Sequence, residues 1–347
     1  MGLATPITIM AGANAGARRG ILIRDGVALE KAGEINAIVF DKTGTLTEGR
    51  PAVVAVEILL DSARAFAAGL ASALARGSQH PLSQAIAKIS AHDAPVRDWR
   101  EIRGGGLEAR RDDNTMARLG SLAWLQQCRV DVARHHATSE KWMNEGTTVV
   151  GLSLDAQLLA LIALRDNPKP GAAEVVARFR RQNLKTRLVT GDNRRTALAI
   201  ARQLGLADDE VFAEVRPEEK AGLVRQFQET GERVAFVGDG INDAPALEQA
   251  DLGIAVNQAS DIAGEAADIV LLQSDIHAIP EAIDLARAAL RTVKQNLFWA
   301  FFYNAAALPL AALGFISPIL CAAAMGASDL LVIGNALRLN RFLKTRP

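Results

Sequence analysis

Four short runs rich in β-branched and other apolar residues, 35–40 (INAIVF), 186–190 (TRLVT), 233–237 (RVAFV) and 252–256 (LGIAV), recur along the chain. Runs of this length without polar alternation suit strands buried on both faces, as in a parallel sheet. Helical patterns at 171–182, 194–204, 218–229 and 243–249 lie between them. Strand and helix in alternation specify an α/β, doubly wound parallel sheet. Ligands of such sheets sit at the carboxyl ends of the strands. Asp41, Thr190-Gly191-Asp192 and Gly238-Asp239-Gly240 each close one of the runs, so three acidic or glycine-rich turns are expected on one rim.

Between Pro51 and about Leu164 the pattern changes to helices at 63–76 and 82–91, a Gly104-Gly105-Gly106 turn, and alternating strands near 147–154 and 157–164. This block separates the first strand of the sheet from the others, so it reads as an inserted α+β domain. The expected division is 25–51 and 164–294 for the sheet domain and 52–163 for the insertion, which suits a chain of 347 residues. Lys plus Arg and Asp plus Glu are 39 each, and that balance draws the chain to no nucleic acid. Two cysteines, Cys128 and Cys321, form neither a disulfide framework nor a multi-cysteine metal site alone.

Hydrophobicity concentrates near the C-terminus. From Gln295 to Ser328, 34 residues carry no charge, where one membrane span needs about 20. With a break at Ser317-Pro318, the expected spans are 297–316 and 318–337, a transmembrane helical hairpin within 295–340 that has membrane lipid as a partner. Arg287, Arg291 and Lys294 precede it and Arg338, Arg341 and Lys344 follow it, which puts both ends on the cytoplasmic side.

A carboxylate at a strand end can attack a phosphoryl group when the surrounding charge is neutralised. Asp41-Lys42-Thr43-Gly44-Thr45-Leu46-Thr47 offers a lysine and a small turn for that task. Thr190 and Gly191 can cradle phosphoryl oxygens, and Lys220 can reach them as a point charge. Asp239 and Asp243, in Gly-Asp-Gly-Ile-Asn-Asp, suit Mg2+, which takes a few carboxylates with phosphate oxygens and water.

DKTGTLT at 41–47, TGDN at 190–193 and GDGINDAPAL at 238–247 together resemble the signatures of P-type ATPases, in particular the heavy-metal group. The resemblance implies a haloacid-dehalogenase-like phosphorylation domain, ATP as the phosphoryl donor and Asp41 as the phosphorylated residue. It implies Mg2+ held by Asp41, Asp239 and the Thr43 carbonyl with Asp243 organising the site, and Lys42, Thr190, Gly191, Asp192, Lys220 and Asn242 around the reacting group. Taken singly, Asp192 and Asp166 are equally readable as helix caps. Ser78-Gln79-His80-Pro81 resembles the Ser-Glu-His-Pro of the heavy-metal group, which implies His80, Gly104, Gly106 and Gly120 at the nucleotide. Gln79 departs from that pattern. Trp99, Trp124 and Trp142 read as core. Thr230-Gly231-Glu232 copies the family's actuator-loop motif but sits at a helix end, and reads as coincidence.

Gly2-Leu3-Ala4-Thr5-Pro6 resembles the segment after the family's Cys-Pro-Cys, so 1–24 is expected to be the end of a membrane helix and a linker. The resemblance thus covers the C-terminal half of a pump, with its N-terminal half as an implied partner. Tyr303-Asn304, Met325 and Ser328 resemble the transported-ion residues of copper(I) pumps, with Asp329 where that pattern has serine. Met325 suits soft copper(I), whereas Asp329 suits a divalent cation such as zinc. Copper(I) is the first expectation, a divalent metal the second, and a soluble phosphatase the third. Such phosphatases carry an acidic residue two positions after the nucleophile, where this chain has Thr43.

Overall fold

The computed structural model describes residues 4–59, 64–92, 94–239, 243–256, 265–273, 275–313 and 318–339. The chain divides into one unit of Met1–Thr45, Pro170–Val189 and Val215–Pro347 and another of Leu46–Lys169 and Thr190–Glu214.

In the first unit, strands lie in the order Ile21–Ile23, Ile269–Leu271, Leu252–Val256, Val234–Gly238, Ala37–Asp41 and Lys185–Val189. Neighbours run parallel except Ile21–Ile23, which pairs antiparallel with Ile269–Leu271. Ala37–Asp41 is interior and buried at every position. The apolar runs form the expected strands with ends shifted by a residue or two, and Asp41 is the last strand residue, in register with Val189. Phe40, Phe179 and Phe236 are among the largest fully buried side chains here. Helices Ala172–Arg181 and Pro217–Glu229 each bury an apolar stripe. Glu232 is buried and accepts from Lys185 and Arg187, and Arg187 lies over the Phe227 ring at 4.1 Å. The Thr-Gly-Glu copy therefore has a structural job in the sheet.

The first unit also holds helices Ala4–Ala17, Ala278–Ala312 and Pro318–Leu337. The middle one starts well before 297 because Ile279, Ala282, Ile283, Leu285, Ala286 and Ala289 form a buried stripe at helical spacing. It runs on through Pro309. Against the expectation of two spans, no helix among the described residues is long and apolar enough to cross a membrane. The Thr8 hydroxyl accepts from the Asn296 amide at 3.1 Å, and the Asn296 carbonyl accepts from Asn335 at 2.9 Å, so one amide links the three helices.

The second unit is an antiparallel sheet in the order Ala52–Ile58, Gln157–Arg165, Thr148–Leu154, Met116–Ser121, Gly106–Arg110 and Arg97–Ile102. Val149 and Val150 belong to different apolar clusters, as alternate side chains of a strand should. One cluster gathers Leu70, Leu74, Ile86 and Leu152 with Trp99 packed against it, the other Leu125 and Leu161 with Trp124 and Trp142, so the three tryptophans are half-buried against the core. The helix expected over 82–91 is only Pro81–Ile86. The Ser72 hydroxyl ends it by donating to Ile86 O while accepting from Ser90 N–H.

Candidate active site

Asp41 enters the site because its strand is interior and ends there. The chain then turns through Thr43 (φ −75°, ψ 127°) and Gly44 (φ 74°, ψ −18°). Gly44 is obligatory on two counts. Its φ is left-handed, and a Cβ there would lie 1.5 Å from Asp239 Oδ2. The turn thus packs directly on the Asp239 carboxylate. Pro217 starts the helix that carries Lys220, and the Glu219 carboxylate accepts from Arg216 N–H to fix that start. Lys220 Nζ donates to Asp41 Oδ1 at 2.7 Å and to Asp243 Oδ1 at 2.6 Å. Ligand atoms of Asp41, Asp239 and Asp243 all lie within 4.8 Å of one another. Lys42 and Thr45 are buried beside them, and the Thr45 hydroxyl has no hydrogen-bond partner.

Burial is the largest influence on Asp41, and with the nearby Asp243 and Asp239 charges it outweighs Lys220 and pushes the carboxyl up to about 7. Burial alone would pull the Lys220 ammonium down, but the Asp41 and Asp243 carboxylates hold it above its ordinary value. Three carboxylates thus lie close together, two of them bound by the Lys220 ammonium. Hard oxygen donors in such a group fit Mg2+.

In the second unit, His80 caps the helix Pro81–Ile86 and its Nδ1 accepts from Leu82 N–H at 3.2 Å. His80, Gly104, Gly106 and Gly120 line one cavity of about 410 Å³ with Glu101, Arg103 and a floor that includes Leu82, Ile86 and Val150. Gly106 (φ 159°) is needed because a Cβ would stand 2.3 Å from Leu119 O and 2.5 Å from Gly120 Cα. The four residues expected at the nucleotide are therefore brought to one place.

A haloacid dehalogenase-like hydrolase family model matches residues 35–251, and a second of the same description matches 222–283. The chain belongs to the haloacid dehalogenase-like hydrolases. Relatives of this haloacid dehalogenase-like chain include the probable copper-transporting ATPase PacS of Synechococcus elongatus, 42% identical over 99% of this chain and 47% of its own length. The probable copper-importing P-type ATPase A of Enterococcus hirae is 41% identical over 98% of this chain and 47% of its own length. Among solved structures, a zinc-transporting PIB-type ATPase in its E2.Pi state matches with TM-score 0.78 and 34% identity, over 98% of this chain and 55% of that one. Heavy-metal P-type ATPase relatives thus run along essentially the whole chain, which spans about half the length of the curated relatives it matches.

Other expected residues of this haloacid dehalogenase-like chain fall as follows. Thr190, Gly191 and Asp192 open a segment of the second unit, next in sequence to Val189. The Thr190 hydroxyl accepts from Asp192 N–H at 3.1 Å. The helix Arg194–Gln203 is capped by Asn193 and not by Asp192. Asp166 caps no helix either and accepts from the Thr47 hydroxyl at 2.6 Å. Asn242 lies outside the described residues, as do the side chains of Tyr303, Asn304 and Met325. Ser328 is half-buried and lines a cavity of about 690 Å³ with Gln295, Asn296, Trp299, Asn335 and Arg338, while Asp329 is exposed. Glu101 and Asn296 went unmarked in the sequence because no motif carries them.

Proposed function

We propose that this chain is the phosphorylated and nucleotide-binding part of an ATP-driven heavy-metal pump. Asp41 attacks the γ-phosphorus of ATP, forming a carboxyl–phosphate bond as the bond to the ADP oxygen breaks. The observation that carries the reading is the strand-end carboxylate Asp41 held by Lys220 in a buried group with Asp239 and Asp243. Lys220 orients the Asp41 oxygen and offsets charge at the transferring group. Lys42 and the Thr43 backbone hold the phosphoryl oxygens. Mg2+, held by Asp41, Asp239, Asp243 and the Thr43 carbonyl, would supply positive charge for the phosphate oxygens. Thr43 offers no carboxylate to activate water, so the aspartyl-phosphate persists, which favours a pump over a phosphatase. Residues about 52–163 bind the nucleotide through His80, Gly104, Gly106 and Gly120.

In this reading the helices Ala4–Ala17, Ala278–Ala312 and Pro318–Leu337 meet a membrane. Support comes from the exposed Phe298, Trp299, Phe301 and Phe302. Tyr303, Asn304, Met325 and Ser328 would supply ligands for copper(I); copper is the metal named for the bacterial relatives above. A divalent ion is the second reading, favoured by Asp329, a hard charged donor. The relatives are about twice as long, so translocation needs further segments, in one polypeptide with this chain or in a partner. Acid-quenched labelling with γ-labelled ATP should give an acid-stable, hydroxylamine-sensitive phosphoprotein with wild type and none with Asp41→Asn. Equal label in both would remove the assignment.

A further inference from the structure

Glu101 lies on the strand Arg97–Ile102, at the edge of the second unit's sheet. Its register opposite Leu107 brings it beside the Gly104-Gly105-Gly106 turn, and it lines the same cavity as His80. A hydrogen-bonded relay joins the two residues. His80 N–H donates to Ser78 Oγ at 3.1 Å, and the Ser78 hydroxyl donates to Glu101 Oε1 at 3.3 Å. Ser78 is buried, so the exposed Glu101 carboxylate is held by a group that the fold fixes. Trp99, two residues before Glu101, is also tied down, its Nε1 donating to Leu74 O at 2.8 Å. The Ser78 contact thus positions one carboxylate oxygen. Glu101 is the acidic residue among those lining the cavity, whose floor is apolar.

Apolar lining residues such as Leu82, Ile86 and Val150 suit the face of a base, and a carboxylate held by Ser78 accepts a hydrogen bond from whatever donor the base presents there. We propose that Glu101 is the base-selecting residue of this cavity, accepting from the exocyclic amine of adenine and so favouring adenine over guanine nucleotides. The proposal rests on the nucleotide reading of the cavity given above. Ser78 already engages Oε1. That leaves Oε2 as the acceptor for a single donor, which the adenine amine provides. Guanine presents its O6 oxygen at the corresponding ring position, and two acceptors facing each other are left unpaired. To bind a carboxylate well, guanine would use its neighbouring N1–H and N2–H donors on both oxygens, one of which is taken.

The test is titration of the full chain with non-hydrolysable ATP and GTP analogues, followed by calorimetry, for wild type, Glu101→Gln and Ser78→Ala. A hydrogen bond to a charged group corresponds to about tenfold or more in affinity. Wild type should prefer the adenine analogue by at least that factor. Glu101→Gln keeps the shape but presents either a donor or an acceptor, so it should bind both analogues within about threefold. Ser78→Ala should lower the preference while leaving binding detectable. Equal affinities in wild type, a preference for guanine, or an unchanged preference in Glu101→Gln would each overturn the role of Glu101 and leave the cavity as the nucleotide site. Binding of neither analogue by wild type, with a native circular-dichroism spectrum, would overturn the nucleotide reading and this inference with it.

Discussion

Asp41 is held in a state that a metal-free protein should register as instability. Its folded carboxyl is pushed up to about 7 by burial and by Asp243 and Asp239, against an ordinary value of 3.8. A carboxyl raised in this way favours the folded state fully below the unfolded value, and that contribution is lost as pH rises through the folded one. In chelator, wild-type stability should therefore decline between about pH 4 and pH 7 relative to Asp41→Asn, which carries no proton to lose. Thermal unfolding of the two proteins across that range checks it. A difference that stays constant with pH would mean Lys220 fully compensates the charge. At this scale the sequence was legible where chemistry compels a motif: Asp41, Gly44 and Lys220 sit in short signatures whose residue types are dictated by the turn and the charge. Glu101 was not legible. It is one charged residue in an edge strand reading RDWREI, and only the Ser78 relay, formed across 23 residues, sets it apart.

Strands buried on both faces announce themselves through composition, which is why the parallel sheet around Ala37–Asp41 could be read directly. The strands Arg97–Ile102, Gly106–Arg110 and Met116–Ser121 could not, because they are short and carry charged side chains, and the first lies exposed at the sheet edge. The same limit hid the helix link. Asn296 donates to Thr8 and accepts from Asn335, using both ends of its amide. Both Thr8 and Asn296 are buried, so neither has water as an alternative partner. Positions 303 and 328 lie seven residues beyond Asn296 and seven before Asn335 in the sequence, two helical turns or about 11 Å from the link on each helix. The link thereby sets which residues of the two antiparallel helices stand level. Asn296→Leu should cost about 1 kcal/mol and Thr8→Val a similar amount. Because both remove one shared bond, the double variant should cost less than their sum. Denaturation of the four proteins in lipid nanodiscs tests this, and strict additivity would show that the Thr8–Asn296 bond carries no energy.

On the scale of the whole molecule, the first unit carries more apolar surface than water readily accepts. Phe298, Trp299, Phe301 and Phe302 are 60%, 61%, 67% and 58% exposed, within a single helix. The Phe298, Trp299 and Phe302 rings pack on one another, with centroids 5.6–6.1 Å apart. Leu330 and Leu331 on the next helix are 71% and 75% exposed. Single exposed apolar residues are ordinary, but clusters of this kind mark a surface that something else covers. Two covers are compatible with the chemistry, a lipid phase or further protein. They differ in one measurable respect. Apolar side chains embedded in lipid resist alkaline carbonate, which strips proteins held to membranes by charge or by other proteins. Expressed as the full chain, the protein should therefore remain in the membrane pellet after carbonate washing and be released only by detergent. Phe298→Asp with Phe301→Asp puts two charges into that surface, at about 2.5–3.5 kcal/mol each if it lies near the centre of a bilayer and less near its edge. That variant should shift measurably to the soluble fraction while the nucleotide cavity of the second unit still binds ATP. Release of the wild-type chain by carbonate alone would assign the exposed aromatics to a protein partner and remove the membrane placement of these helices.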